Sequence, residues 1–235
     1  MQTIKFNKLN LKEDDLLLDM GCGEGRHTIG AYIEKPVNSF GFDLSFKDLK
    51  IARDRLNDFD VSYKKEICQF GAGDINALPF KDESFNSVIC SEVLEHVDSP
   101  EDSIKELIRV LKPGGVLALS VPRFLPELIC WWLSKEYQEM PGGHVRIFRH
   151  NQIKKLATNE GLQYLSFHWA HALHSPYWWL QCLFWKNKDN SFLVKKYHQF
   201  LVWDLMKKPL LTKFLEFIFQ PLIGKSVAMY FRKQL

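Results

Sequence analysis

The hydrophobic pattern divides the chain into two halves of different kind. From Leu16 to Val121, short apolar runs alternate with segments of helical spacing. Leu16-Leu17-Leu18-Asp19-Met20 is a compact apolar block that stops at Gly21-Cys22-Gly23-Glu24-Gly25. A continuous apolar run bounded by glycine is the pattern of a strand covered on both faces. Residues 26–34 read as a helix ending near Pro36, and Ser39 to Leu44 as a second strand. Leu49, Ala52, Arg53 and Leu56 space a helix over 45–57, with Ser45 as its N-cap. A weaker third strand is predicted near 67–72 and a fourth over Phe85–Ser91. A helix over 99–111 stops at Pro113-Gly114-Gly115, and a fifth strand runs from Val116 to Val121. Strands alternating with helices predict an α/β fold with a doubly wound parallel sheet.

Beyond Val121 the pattern changes. All seven tryptophans fall between Trp131 and Trp203, in clusters such as Cys130-Trp131-Trp132 and Tyr177-Trp178-Trp179. The sheet pattern returns in a helix over 151–160, stopped by Gly161, a strand over 162–169 and a last strand over 226–231. Residues 122–150 and 170–224 are therefore predicted as helical, aromatic-rich insertions into one domain spanning 1–235.

Composition narrows the class. The chain has 235 residues, 46% hydrophobic and 25% charged, which excludes a disordered chain and fits one large globular domain. Five cysteines without a CxxC pair give neither a disulfide framework nor a zinc ribbon. Met1 to Lys8 is polar, and no run reaches the roughly 18 apolar residues of a membrane span, so a cytoplasmic protein is expected. The net charge of +3 is unevenly spread. Residues 186–235 hold ten Lys and Arg against three Asp and Glu, a balance of +7, which leaves −4 for residues 1–185. The basic residues form no compact run, so no nucleic-acid partner is expected.

A glycine loop after the first strand lets a ligand approach the backbone closely, and the next helix N-terminus offers free N–H groups. Asp43 ends the second strand, where an acid can accept both hydroxyls of a ribose. Asp74 follows the third strand, where a side chain can meet an adenine edge.

LLLDMGCGEG, GFD, GDINALPF, SFNSVICSEVLEHV and LIRVLKPGGVLALSVP together resemble, in order and spacing, the class I S-adenosylmethionine-dependent methyltransferases. The most similar group holds small-molecule enzymes such as those of ubiquinone and menaquinone biosynthesis. The resemblance covers residues 12–169 and returns at 225–232. It implies a Rossmann-like sheet of seven strands with the last antiparallel, and S-adenosylmethionine as cofactor, leaving S-adenosylhomocysteine. It implies that Asp19 and the loop Gly21, Cys22, Gly23 and Gly25 hold the methionine moiety. Asp43 would take the ribose, with Leu44 near the adenine, and Asp74 and Ile75 would meet the adenine ring. Ser91 would lie beside the methionine part and face the substrate.

Methyl transfer from a sulfonium is an in-line displacement, and a base is needed only where the nucleophile carries a proton. Glu92, Glu95 and His96 in Ser91-Glu92-Val93-Leu94-Glu95-His96 follow the fourth strand, and His144 lies in the first insertion. Glu92, His96 and His144 are the expected catalytic side chains. The E-x-x-E-H spacing could hold a divalent cation, but many methyltransferases with this segment bind none, so no metal is expected. His171 and His174 are expected at the substrate mouth, without a metal, since no acid or cysteine completes a ligand set there.

The N-terminus is too short to build a lid, so the two tryptophan-rich insertions must supply it. A mostly apolar pocket suits a small hydrophobic acceptor, such as a quinone, isoprenoid, lipid or aromatic metabolite. Methylation on oxygen is expected before carbon. A soluble sugar or polyketide-like acceptor, or an inactive cofactor-binding regulator, are the alternatives. Tryptophan beside lysine across 170–224 reads as a second core, as a peripheral membrane surface or as a homodimer face.

Overall fold

A computed structural model describes residues 2–235 of the chain. A seven-stranded sheet runs through its centre in the order β3-β2-β1-β4-β5-β7-β6. The strands are β1 (Leu16–Met20), β2 (Asn38–Asp43), β3 (Cys68–Ala72), β4 (Phe85–Ser91), β5 (Leu111–Pro122), β6 (Leu162–Ala170) and β7 (Ser226–Lys233). Strand β7 is antiparallel to both of its neighbours, and the pairs among β1 to β5 are parallel. The order reverses at β1, with β2 on one side and β4 on the other. That crevice is where ligands of open α/β sheets bind.

The central strands β1, β4, β5 and β7 are apolar on both faces because both faces are covered. Leu18, Met20, Leu117, Leu119, Val227 and Met229 share one core with α3 (Pro100–Val110) and α6 (His150–Asn159). Leu17, Val116, Ala118, Ala228 and Tyr230 point to the other face. Helix α1 (Arg26–Glu34) covers part of that second face. The rest is covered by Ile4, Phe6 and Leu9, all buried, although the N-terminus carried no sequence signal of such a role. Lys5 N–H donates to the Tyr230 hydroxyl at 2.8 Å, which satisfies the polar end of a fully buried ring.

Element boundaries follow local chemistry. Helix α2 (Phe46–Leu56) starts at Ser45, whose hydroxyl accepts from Asp48 N–H at 3.2 Å. Gly21 has φ +72°, and a Cβ there would lie 2.1 Å from Val93 Cγ2. Only glycine lets the loop turn so close to the segment after β4.

Between β5 and α6 lie α4 (Phe124–Leu133) and the short α5 (Lys135–Gln138). Between β6 and β7 lie α7 (His174–Leu183), α8 (Phe192–Lys207) and α9 (Leu210–Ile223). Helix α4 packs on α7 and α7 on α8. Cys130, Tyr137 and Cys182 form a small core there, ringed by Trp131, Trp178, Trp179 and Trp185. Helix α9 is inverted. Thr212 is its buried residue, and Glu216 accepts from Ala172 N–H and Leu173 N–H at 2.9 and 3.1 Å. Its apolar residues face outward, with Leu210 82% and Phe217 76% exposed. The second-core reading therefore holds for α4 and α7 and fails for α9.

Candidate active site

The ends of β1 and β2 are tied together by the glycine loop. Gly21 N–H and Cys22 N–H both donate to Phe42 O, at 2.7 and 3.0 Å. Asp43 accepts from Gly23 N–H at 2.8 Å and, through its other oxygen, from Ser45 N–H at 2.8 Å. One carboxylate thus fixes the loop to the start of α2 and keeps free lone pairs at the sheet edge. Asp19 is buried beneath the loop. One of its oxygens accepts from Thr28 N–H and Oγ, at 3.0 and 2.7 Å, while the other has no partner. Burial raises its pKa to about 6, although the Thr28 hydrogen bonds pull the other way. Burial also pushes the Cys22 thiol far up, so it stays protonated and inert.

Asp74 sits one turn from Asp43, because Asp43 pairs with Ala72 and Gly73 N–H donates to Asp43 O. It is exposed and accepts from Asn76 N–H at 2.9 Å. Leu44 is exposed at the end of β2. Ile75 differs from its neighbours, since its side chain lies in the core beside Leu18 and Met20. Any contact it makes to a ligand is through its backbone.

A cleft of about 930 Å³ is lined by Gly21, Cys22, Gly23, Arg26, Ser91 and Glu92, among others. A second cavity of about 550 Å³ is lined by Glu92, Arg26, His144, His171, His174, Tyr177, Trp178 and Lys225, among others. Arg26 and Glu92 line both. Glu92 has φ +58°, a strained value for a residue with a side chain, and marks the tip of β4. Its carboxylate accepts from Ser120 Oγ at 2.9 Å, and Ser120 lies 2.8 Å from Ser91 Oγ.

Residues 18–119 match the family described as "Methyltransferase domain". A demethylmenaquinone methyltransferase of Renibacterium salmoninarum is 35% identical over 47% of this chain and 44% of its own length. A 27-O-demethylrifamycin SV methyltransferase of Amycolatopsis mediterranei is 37% identical over 47% of this chain and 40% of its own. The chain thus spans less than half the length of these relatives. Two solved structures share the fold. Phosphoethanolamine N-methyltransferase 2 of Haemonchus contortus, in complex with S-adenosyl-L-methionine, has a TM-score of 0.61 at 19% identity, covering 97% of this chain and 51% of its own. The [4+2]-cyclase SpnF has a TM-score of 0.65 at 19% identity, covering 97% and 79%. Residues 18–119 thus match a methyltransferase domain, and the chain is similar in sequence to S-adenosylmethionine-dependent methyltransferases and shares their fold.

The second cavity adjoins the glycine-loop cleft, with Arg26 and Glu92 at the junction. The polar cluster at the junction is more elaborate than the sequence showed. His144 Nδ1 lies 2.6 Å from Glu127 Oε1, which also accepts from the Tyr137 hydroxyl at 2.8 Å. Burial opposes charge on Glu127, but the hydrogen bonds from His144 and Tyr137 outweigh it and hold its carboxyl below the usual range. His96 Nδ1 lies 3.1 Å from Gly143 O. Burial and the neighbouring His144 ring lower the His96 pKa. Glu95 is fully buried, neither of its oxygens has a hydrogen-bond partner, and burial together with Glu92 raises its pKa well above the usual range.

Glu127, Tyr137 and Lys225 were not singled out from the sequence. Glu127 alone had a signal, as the one acid in the apolar run Phe124-Leu125-Pro126-Glu127-Leu128-Ile129-Cys130. Thr3 had none. It lines the second cavity, and its hydroxyl lies 3.1 Å from His171 Nε2. Of the predicted residues, Gly21, Cys22, Gly23, Ser91, Glu92, His144, His171 and His174 come together around the two cavities. Gly25 instead starts α1, where a Cβ would press on Ala52, Phe70 and Ile29.

Proposed function

We propose that this protein transfers the methyl group of S-adenosylmethionine to an oxygen of a small, hydrophobic acceptor. The observation that carries the reading is the shared wall. Glu92 and Arg26 line both the glycine-loop cleft and the aromatic second cavity, so cofactor and acceptor meet there. In the reaction the acceptor oxygen attacks the methyl carbon as the carbon–sulfur bond breaks. The hydroxyl proton passes to the Glu92 carboxylate, and the sulfonium becomes the neutral thioether of S-adenosylhomocysteine. Alignment and exclusion of water supply most of the acceleration. A polar junction of Glu92, Ser120 and His144 suits an acceptor that sheds a proton, which favours oxygen over carbon. Asp43 takes the ribose, Asp74 and the Ile75 backbone the adenine, and Asp19 and the loop the methionine part. Helices α4, α5 and α7 to α9 form the lid.

The exposed apolar face of α9, with Lys207, Lys208 and Lys213 beside it, supports approach to the acceptor from an anionic membrane surface. Among the described residues no helix is long and apolar enough to cross a membrane. A second reading is favoured by the likeness to SpnF, named a cyclase, since one fold carries different chemistries. The experiment is calorimetric binding of S-adenosylmethionine and S-adenosylhomocysteine to the intact protein and to Asp43→Ala, followed by methyl transfer to quinone and lipid acceptors. Micromolar binding abolished by the substitution, with turnover, is expected. No binding overturns the reading. Binding without turnover on any acceptor favours the second reading, and full turnover on a sugar or polyketide-like acceptor without lipid removes the membrane part.

A further inference from the structure

We propose that the second cavity takes an organic anion, an aromatic or alkyl body with one acidic group, and that Lys225 holds the acidic end. The cavity of about 550 Å³ has Arg26, Lys225 and Glu92 as the charged side chains on its wall, two cations against one acid. His171 and His174 add no charge at neutral pH, because burial keeps both imidazoles neutral. A cation without an anionic partner in such a space is costly, and a ligand that brings a negative charge removes that cost.

The surroundings of Lys225 make the case. Its Nζ lies 5.0 Å from the centre of the Trp178 ring, so the charge stands over an aromatic wall. Among the described residues the ammonium has no hydrogen bond and no ion pair. Glu127, whose charge it feels, is engaged by His144 and Tyr137 instead. Two more donors line the same cavity. His174 Nδ1 is buried with no partner, and a neutral imidazole can carry its proton there. The Tyr177 hydroxyl accepts from the Gln181 amide and keeps its own hydrogen to give. An acidic oxygen can be met by ammonium, imidazole and phenol, and such charge-assisted bonds are the strong ones.

Strand register sets the length of the ligand. Ser120, which donates to Glu92, pairs with Ala228, three residues along β7 from Lys225. At about 3.3 Å per residue, the two strand positions stand roughly 10 Å apart. Trp178, Leu201, Val202 and Leu205 supply apolar wall for the body of the ligand. An acid held at Lys225 thus leaves the far end of such a body beside Glu92, where the cavity meets the glycine-loop cleft. That this anion is the methyl acceptor rests on the proposed methyl transfer; the anion site itself does not.

The test uses the full chain and two fluorescent probes, anilinonaphthalene sulfonate and phenylnaphthylamine, which share their rings and differ by the acid. Transfer of tryptophan emission to the probe reads binding. The sulfonate is expected to bind with micromolar affinity, and the neutral probe at least about 10-fold more weakly. Decanoate or decyl phosphate should displace the sulfonate where decanol does not, and the tighter of the two names the acid. Lys225→Met keeps the stem against Trp178 and removes the charge. It should weaken the sulfonate about 10- to 100-fold and leave the neutral probe unchanged, while Lys225→Arg restores the sulfonate. A thermal melt reports an intact fold in each variant, and if Lys225→Met fails it, Lys225→Gln decides. Leu210→Glu with Phe217→Glu, on the outward face of α9, should leave the sulfonate bound. The proposal is overturned by equal affinity for the two probes, by sulfonate binding that survives loss of the Lys225 charge, by decanol competing as well as both acids, or by binding lost in the α9 variant. Anion binding that depends on Lys225, in a protein that takes up no S-adenosylhomocysteine, would sustain the anion site and remove the methyl-transfer reading instead.

Discussion

The half of the chain up to Pro122 and the half beyond it obey different rules. In the first half, β1, β4 and β5 are buried on both faces, and the loop after β1 is held by short backbone hydrogen bonds that tie Gly21 and Cys22 to Phe42. In the second half, helices α4 and α7 meet through tryptophans, α7 and α8 through Tyr177 and Tyr197, and α9 turns its polar residues inward and its apolar ones out. On the proposed function, the first half holds the same methyl donor in every turnover and the second selects the acceptor. The difference teaches where specificity resides. A cofactor needs the same contacts every time, whereas an acceptor is chosen by a cavity whose walls come from distant parts of the chain.

The two halves are joined by a seam, and acid should open it first. Thr3 N–H and Ile4 N–H both donate to His27 Nε2, at 3.1 and 3.3 Å, and His168 Nε2 lies 3.1 Å from Thr3 O. Burial, with Arg26 nearby, lowers His27 to about 3. Burial lowers His168 and His174 to about 4, with Lys5 beside the first and Lys225 beside the second. Each histidine is neutral when folded and gains a proton near pH 6.5 when unfolded. Their stability is present above that pH and lost as pH falls towards 4. Asp19 acts in the opposite sense: its raised pKa of about 6 gives stability that is full below about 3.9 and lost as pH rises through 6. Burial also lowers His171 and raises Glu95, so four histidines stand against two carboxyls and leave a loss of up to roughly 3 kcal/mol for each pH unit between 6 and 4. Urea unfolding at pH 7, 6 and 5 is expected to show that fall. A flat or rising profile would mean that the four histidines are not neutral in the folded protein.

A pair of glycines separates the halves next. Gly21→Ala forces a left-handed backbone and a Cβ onto Val93, which together cost roughly 3 kcal/mol. It also distorts the loop, so cofactor binding should fall at least about 100-fold. Gly161 has a similar φ of +83° but nothing within 4 Å of its Cβ position. Gly161→Ala should cost only about 1 kcal/mol and leave cofactor binding unchanged. Thermal melts and calorimetry on the two variants measure the contrast, and equal losses would refute a site confined to the first half.

The same contrast explains what could be read from the sequence. Gly21, Gly23 and Asp43 were legible because a glycine-bounded strand and an acid at the next strand end are local requirements of the backbone. The helix over Phe46–Leu56 was legible from Ser45, and β7 from its uninterrupted apolar run. The pairing of Glu127 with His144 was not, since it joins a helix to a loop 17 residues away and depends on where α4 lands. Nor was the role of Thr3 and Ile4, which is set by β6, β7 and α1 closing around them. That the Ile75 side chain lies in the core was not legible either, because the residue follows Asp74 at the sheet edge and its burial is set by packing against Leu18 and Met20.

The smallest effect on the fold should come from α9. Leu210 and Phe217 contribute nothing to the core, so Leu210→Glu and Phe217→Glu together should change stability by no more than about 0.5 kcal/mol each. They should still matter for association. Moving either side chain into a lipid surface is worth about 1.5 to 3 kcal/mol, so replacing both should reduce binding to anionic vesicles at least about 10-fold. Co-sedimentation with phosphatidylserine-containing vesicles checks this, with calorimetric cofactor binding expected to stay constant. If the intact protein ignores vesicles but elutes as a dimer that the double variant dissociates, the face of α9 belongs to a second copy of the chain. If neither changes, the inverted helix serves neither purpose, and the apolar acceptor must reach the cavity from water.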